Sequence, residues 1–190
     1  MSRSPDYSSA LMTPANMITV TRLLFAPVMI VAVVEIGPSW GVFLLGAALG
    51  LTDLLDGYVA RRQQPSRFGA FLDPLADKVL VLGTMVALVA RGEFHWFPVA
   101  VIGVRELAVS LYRVQAGRRG VTVPARPLAK AKTFVQSWAA GLALAPPIAD
   151  DAMWIATATL WVAVVLTVVS GAQYLLDAQR LAADQMQEQR

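Results

Sequence analysis

Apolar residues run along this chain in long blocks rather than in alternation with polar ones. Six segments stay mainly apolar for about twenty residues each, at about 17–37, 40–61, 69–91, 95–116, 129–149 and 152–176. Runs such as Val79 to Ala90 and Trp161 to Val169 leave no room for the period of two that marks a half-buried strand. A helix needs roughly 20 mainly apolar residues to cross about 30 Å of hydrocarbon, so the pattern predicts an all-α integral membrane protein with six transmembrane helices. Turn formers separate the later segments: Gly117-Arg118-Arg119-Gly120, Pro124 and Pro127, then Pro146-Pro147 and Asp150-Asp151. The first segment has neither a positive leading region nor a small-residue cleavage site and reads as a retained span. Pro27 is expected to kink it, the tail from about 179 to 190 to form a polar helical extension, and residues 1–190 to make a single membrane domain.

Composition agrees with the pattern and removes several chemistries. Of 190 residues 56% are hydrophobic and 15% charged, against about 45–50% and 25% in soluble domains; the mean hydropathy is +0.55. Absence of cysteine excludes disulfides, thiolate metal sites and a cysteine nucleophile, and a lone histidine, His95, excludes any mechanism that needs two. The net charge of +3 is informative through its placement. Arg61, Arg62 and Arg67 follow the second segment, and Arg113, Arg118, Arg119, Arg126, Lys130 and Lys132 lie around the connection between the fourth and fifth, with no acid among them. Glu35, Arg91, Glu93, Asp150 and Asp151 fall at the opposite ends. The positive-inside rule then puts both termini and both basic loops in the cytoplasm of a multi-pass cell-membrane (inner or plasma membrane) protein. The basic excess reads as topology, not as a nucleic-acid footprint. Trp40, Trp96, Trp138, Trp154 and Tyr174 read as interfacial or packing aromatics.

Four aspartates break the apolar blocks: Asp53 and Asp56 in the second, Asp73 and Asp77 in the third. Each costs about 2.5–3.5 kcal/mol at a helix centre, and the four together on the order of 10 kcal/mol if they faced lipid. Lys78 and the loop arginines are too few and too far out to pair with all of them, so a charge-binding site is the stronger reading. Asp53 and Asp56 are spaced i, i+3 and Asp73 and Asp77 i, i+4, which puts each pair on one helical face. A short loop joins the two helices, so the pairs are expected to converge near the cytoplasmic ends in a polar cavity. Gly46, Gly50, Asp53, Gly57 and Ala60 form one stripe of small residues interrupted by a carboxylate. Gly46 and Gly50 suit helix packing, while Gly57 suits a ligand's approach to the backbone. Carboxylates crowded in one cavity repel, and hard divalent cations relieve this; oxygen-only donors suit two Mg²⁺ or Mn²⁺ ions. Arg61 adds a forked donor for a phosphate or pyrophosphate.

The stretch Asp53-Leu54-Leu55-Asp56-Gly57-Tyr58-Val59-Ala60-Arg61, then Gly69, Asp73 and Asp77, resembles the signature of the CDP-alcohol phosphatidyltransferases, with eight fixed positions in 25 residues. The segments Asn16 to Arg22, Phe68 to Lys78, Arg105-Glu106 and Ala129 to Gln136 resemble the family's bacterial phosphatidylglycerophosphate synthase branch in particular. The six-span layout is similar over nearly the whole chain. The resemblance implies an enzyme in which Asp53, Asp56 and Asp73 are mainly metal ligands beside the pyrophosphate of CDP-diacylglycerol. Asp77 would be a ligand and also the general base that takes the acceptor's hydroxyl proton before direct displacement of CMP. It implies contacts to the CDP moiety from Gly57, Ala60, Arg61, Ser66 and Gly69, with Asn16 and Thr19 as further nucleotide contacts, and a homodimer. His95, expected at the outward side, cannot reach the aspartates, so a paired-histidine route with a covalent intermediate does not apply.

Arg105, Arg113, Lys130 and Lys132 are candidates for a basic pocket that receives a phosphorylated acceptor, with glycerol 3-phosphate the first choice. Inositol 3-phosphate, and phosphatidylglycerol to give cardiolipin, are the alternatives. Snorkelling or topology would explain the same cations without a ligand, and Arg105 could simply pair with Glu106. A cation- or proton-coupled transporter is the competing class, but it expects carboxylates through the whole membrane depth and leaves Gly57 and Arg61 unexplained. An aspartate-rich intramembrane prenyltransferase shares the metal logic but needs a larger bundle.

Overall fold

Long apolar runs ended by proline, glycine or a capping side chain fold here into helices, and the computed structural model describes the backbone of residues 14–60, 67–118 and 127–188 and the side chains of 17–52, 75–112, 114, 115 and 131–174. The helices are α1 (Pro14–Glu35), α2 (Trp40–Ala60), α3 (Arg67–Ala90), α4 (Trp96–Arg118), α5 (Pro127–Leu144), α6 (Pro146–Asp151) and α7 (Met153–Glu188), with no strand among the described residues. Their ends have local causes. The Gly37 amide donates back to Val33 at 3.1 Å, and its φ of +81° is the left-handed conformation that closes a helix C-terminus most readily at glycine. Ser39 Oγ accepts from the Val42 amide at 3.3 Å and caps α2. His95 Nδ1 accepts from the Phe97 amide at 3.2 Å, so the lone histidine works as a cap of α4.

Two departures from the predicted segments stand out. The fifth segment, expected to continue to 149, stops as a helix at Leu144 because Ala145 precedes a proline and is extended, with φ −75° and ψ 119°; α6 then starts on Pro146. At the other end of the chain, α7 is a single helix of 36 residues, about 54 Å at 1.5 Å per residue. The polar stretch from 179 continues it beyond any bilayer-length apolar block.

Cross-helix contacts fix the directions. Arg22 meets Asp77, Ile30 lies against Gly83, and Arg91 donates to the Val34 carbonyl at 2.8 Å, so α1 and α3 run parallel and in contact. Phe97 with Trp161, Arg105 with Ser170 and Tyr112 with Tyr174 align α4 with α7 in the same way. Gln136 donates to Thr167 at 3.0 Å, with α5 and α7 packed closely along their lengths. The core is built of small and medium apolar side chains, Ala26, Met29, Val33, Met85, Leu88, Ile102, Ala139, Ala143, Leu160 and Ala163, which let helix axes approach closely. Outward-facing positions are apolar too: Leu24, Val28, Leu44, Val86, Val104, Leu111, Phe134 and Val165 are exposed on six different helices. Water is a poor solvent for that surface.

Within the described residues, α1 over Met17–Glu35 and α7 over Met153–Tyr174 are long and apolar enough to cross a bilayer, and α2 is apolar over the shorter Trp40–Thr52. The chain is thus a helical protein with membrane-spanning character. The other long helices, α3, α4 and α5, carry polar groups within their apolar runs. These helices carry Asp77 and Lys78, Arg105 and Glu106, and Lys132, Thr133 and Gln136, which all turn into one interior cavity.

Candidate functional site

A cavity of ≈ 170 Å³ opens between α3, α4, α5 and α7. Its charged lining comes from Asp77 and Lys78 on α3, Arg105 and Glu106 on α4 and Lys132 on α5; Ser110, Gln136, Ser170, Gln173 and Tyr174 supply neutral polar groups. Lys132 lies early in α5, while Asp77, Lys78, Arg105, Glu106 and Ser170 to Tyr174 lie near the middle of α3, α4 and α7. The cavity is therefore set back by about two turns or more of each helix from the end that holds Glu35, Arg91, Glu93 and Asp151.

The polar groups form a connected network. Arg22, 1% exposed and one turn along from the buried Thr19 on α1, donates to Asp77 Oδ1, and Asp77 itself keeps 31% of its surface open. Two cations from different helices share one oxygen of Glu106: the Lys132 ammonium, and Arg105 Nη1 at 3.3 Å. Arg105 Nη2 also donates to Ser170 Oγ at 2.9 Å, which ties α4 to α7. The Ser110 hydroxyl donates to the Glu106 carbonyl at 2.5 Å and accepts from Lys78 Nζ. Glu106 and Lys132 are 6% and 4% exposed. Charges so far from water are stable only when paired and hydrogen-bonded, as these are.

The sequence-predicted residues fall into four groups, one of them Thr19 by itself, buried on α1 and not part of the cavity lining. Asp77, Arg105 and Lys132 are brought together on the walls of one cavity. Asp53, Asp56, Gly57 and Ala60 occupy the last two turns of α2, Gly69 and Asp73 the start of α3, Asn16 the start of α1, Arg113 the end of α4 and Lys130 the start of α5; each is helical in backbone, and their side chains lie outside the described residues. Those helix ends lie at the end of the bundle opposite Glu35, Arg91 and Glu93. Arg61 and Ser66 lie outside the described residues altogether. Among the described residues no cluster of three or more metal-ligating side chains occurs; Asp77 is the one signature aspartate whose side chain is described.

Sequence reasoning missed Arg22 as a partner of Asp77, and missed Glu106, Gln136, Ser170 and Gln173 as cavity residues. Arg22 and Glu106 carried a usable signal, each being a charge inside an apolar block. Nothing in the sequence distinguishes Ser170 and Gln173 from other polar residues of a long helix. Tyr174, which the sequence left between interfacial and packing roles, is buried edge-to-face against Tyr112 with ring centroids 5.5 Å apart. Trp40, Trp96 and Trp154 are exposed near the starts of α2, α4 and α7.

Comparison with known proteins places these features in context. The family model for CDP-alcohol phosphatidyltransferase matches residues 12–169. A Mycobacterium tuberculosis protein named "Probable phosphatidylglycerophosphate synthase" is 35% identical over 175 residues, which cover 87% of this chain and 81% of the relative. A protein of Pseudomonas fluorescens is 39% identical over 173 residues, covering 84% of this chain and 87% of the relative. One from Bacillus subtilis is 36% identical over 178 residues, covering 84% and 91%. Both of these are named CDP-diacylglycerol–glycerol-3-phosphate 3-phosphatidyltransferase.

Proposed function

The chain belongs to the CDP-alcohol phosphatidyltransferase family, and from that premise we propose that it transfers the phosphatidyl group of CDP-diacylglycerol to glycerol 3-phosphate, giving phosphatidylglycerophosphate and CMP. It is an enzyme of the phosphatidyltransferase class, so the transporter reading of its aspartates gives way. The observation that carries the acceptor is the cavity in which Asp77 shares walls with Lys78, Arg105 and Lys132. A hydroxyl to be deprotonated and a phosphate to be held belong to the same small molecule, and one cavity offers groups for both. The names of the relatives support the same choice.

In this reading Asp77 takes the proton from the acceptor hydroxyl. The hydroxyl oxygen forms a bond to the phosphorus that carries the diacylglycerol, and the bond from that phosphorus to the CMP oxygen breaks, the electron pair leaving with CMP. Arg105 and Lys132, with Arg113 and Lys130 from the adjoining turns, hold the acceptor's phosphate. Asn16, Thr19, Gly57, Ala60, Arg61, Ser66 and Gly69 bind and orient the CDP-diacylglycerol. Asp53, Asp56, Asp73 and Asp77 are the residues that would hold two divalent cations, Mg²⁺ or Mn²⁺, whose chemistry is to polarise the pyrophosphate and offset its charge. The donor set fits such ions: it is carboxylate oxygen only, and the lone imidazole, His95, is engaged at the opposite end of the bundle. The protein works as a six-span bundle in the cell membrane, with cavity and termini facing the cytoplasm, and pairs as a homodimer as its family resemblance implies.

The deciding experiment offers purified protein labelled CDP-diacylglycerol, Mg²⁺ or Mn²⁺, and glycerol 3-phosphate, phosphatidylglycerol and inositol 3-phosphate in competition. Labelled phosphatidylglycerophosphate and stoichiometric CMP are expected. Cardiolipin or a phosphoinositide as the main product would reassign the acceptor, and absence of CMP with all three would overturn the reaction.

A further inference from the structure

Glu106 takes no part in the reaction as written above, yet the cavity's cations are arranged around it. Its Oε1 receives both the Lys132 ammonium from α5 and the Arg105 guanidinium from its own helix. Its backbone carbonyl receives the Ser110 hydroxyl, on which Lys78 of α3 also converges. Arg105 is fixed from a second direction as well. Ser170 of α7 accepts from it at 2.9 Å, and its side chain crosses α7 so closely that a Cβ on Gly171 would stand 3.3 Å from Nε and 3.4 Å from Cγ. A carboxylate is costly to bury, and an apolar side chain of similar size would hold the helices together at least as well. Two neighbouring cations without a shared counter-charge would repel and splay.

We propose that Glu106 is a positioning residue for the acceptor: one buried carboxylate oxygen holds Lys132 and Arg105 side by side, so that a phosphate monoester meets a preformed pair of donors. An ammonium carries three donors and a guanidinium five, more than the contacts to Glu106 use, and donors already in place lose less freedom when the phosphate arrives. The inference rests on the reading that this cavity takes the acceptor's phosphate, and it extends that reading to a residue that touches neither substrate.

The test is steady-state CMP release by the full-length enzyme in micelles, with glycerol 3-phosphate and CDP-diacylglycerol varied separately, for the wild type and for Glu106→Gln, Glu106→Asp and Lys132→Gln. Glu106→Gln is expected to raise KM for glycerol 3-phosphate about tenfold, with KM for CDP-diacylglycerol held within about twofold. Glu106→Asp should recover part of the loss. A Glu106→Gln/Lys132→Gln double variant should lose less than the two single losses combined, since Glu106 acts in part through that lysine. A fall in kcat with both KM values unchanged, or a parallel rise of both, would show a merely structural role and overturn the proposal. If Lys132→Gln raises the acceptor KM and Glu106→Gln does not, Glu106 positions nothing while the acceptor reading stands. If Lys132→Gln leaves that KM unchanged, the acceptor reading itself fails, and this inference with it. Should Glu106→Gln not yield folded protein, Glu106→Asp decides on the same criterion, a selective rise supporting the proposal and an unchanged acceptor KM overturning it.

Discussion

Arg22 and Asp77 stand 55 positions apart and meet where α1 packs against α3. The arginine is sealed inside the bundle while the aspartate stays partly open, an asymmetry that suits a carboxylate with work to do on one side and a fixed counter-charge on the other. Asp77→Asn is expected to cut CMP release by at least about 10²-fold, the lower end of what a positioned base contributes. Arg22→Met should leave chemistry less affected but cost about 1.5–3 kcal/mol in denaturant unfolding, the range for a hydrogen bond to a charged group. The Arg22→Met/Asp77→Asn double variant should unfold less readily than the sum of the single losses implies, because neither charge is left without its partner. Strictly additive losses would mean the pair contributes nothing as a pair. Asp77, Arg105 and Lys132 were legible in the sequence because each is a charge within an apolar block. Arg22 and Glu106 are equally anomalous by that measure. What sequence cannot supply is the register between helices that decides which charge meets which, and a pairing over 55 residues leaves no local trace.

The elements themselves were easier to read, since apolar runs ended by Pro14, Gly37, Ser39, Gly92 and Pro127 leave little choice of helix limits. The reading blurred where one proline divides an apolar block, as at Pro146. How closely two helices pack was not legible either. At Gly83 an added Cβ would stand 2.5 Å from Ile30 Cδ1 and 3.0 Å from Cγ1, so α3 approaches α1 at the limit that hydrogen allows. Gly83→Val is therefore expected to destabilise by about 1–3 kcal/mol through overpacking. It should also lower CMP release, because α1 and α3 are the two helices that bring Arg22 to Asp77. Trimming the opposing side chain in Gly83→Val/Ile30→Ala should recover part of both losses. A Gly83→Val protein with unchanged unfolding midpoint and turnover would mean that α1 and α3 are not in close contact at this level.

At the scale of the molecule, chemistry and topology have to agree, because on the reading proposed above a cavity that receives a phosphorylated polyol must open to the compartment that holds it. Arg91 ties the end of α3 to the end of α1 through the Val34 carbonyl, and the exposed Trp40, Trp96 and Trp154 all begin helices at that same end. Tryptophans at helix ends are what a membrane–water interface selects, while Trp138 and Trp161, exposed as well, lie about two turns deeper. At the other end α2 finishes and α3 and α5 begin, and the positive-inside rule, applied to the basic residues of the sequence there, would put that end in the cytoplasm. The chain contains no cysteine, so single cysteines can be placed without a competing background. Asp151→Cys, exposed at the tryptophan end, is expected to react with a membrane-impermeant maleimide in intact spheroplasts. Gln115→Cys, exposed on the last turns of α4, should react only in permeabilised cells or inverted vesicles. The reverse pattern would turn the bundle over and place its acceptor cavity on the side that holds no substrate. Labelling of both from outside would mean that these two ends are not separated by a bilayer, and the six-span reading would fail with the orientation.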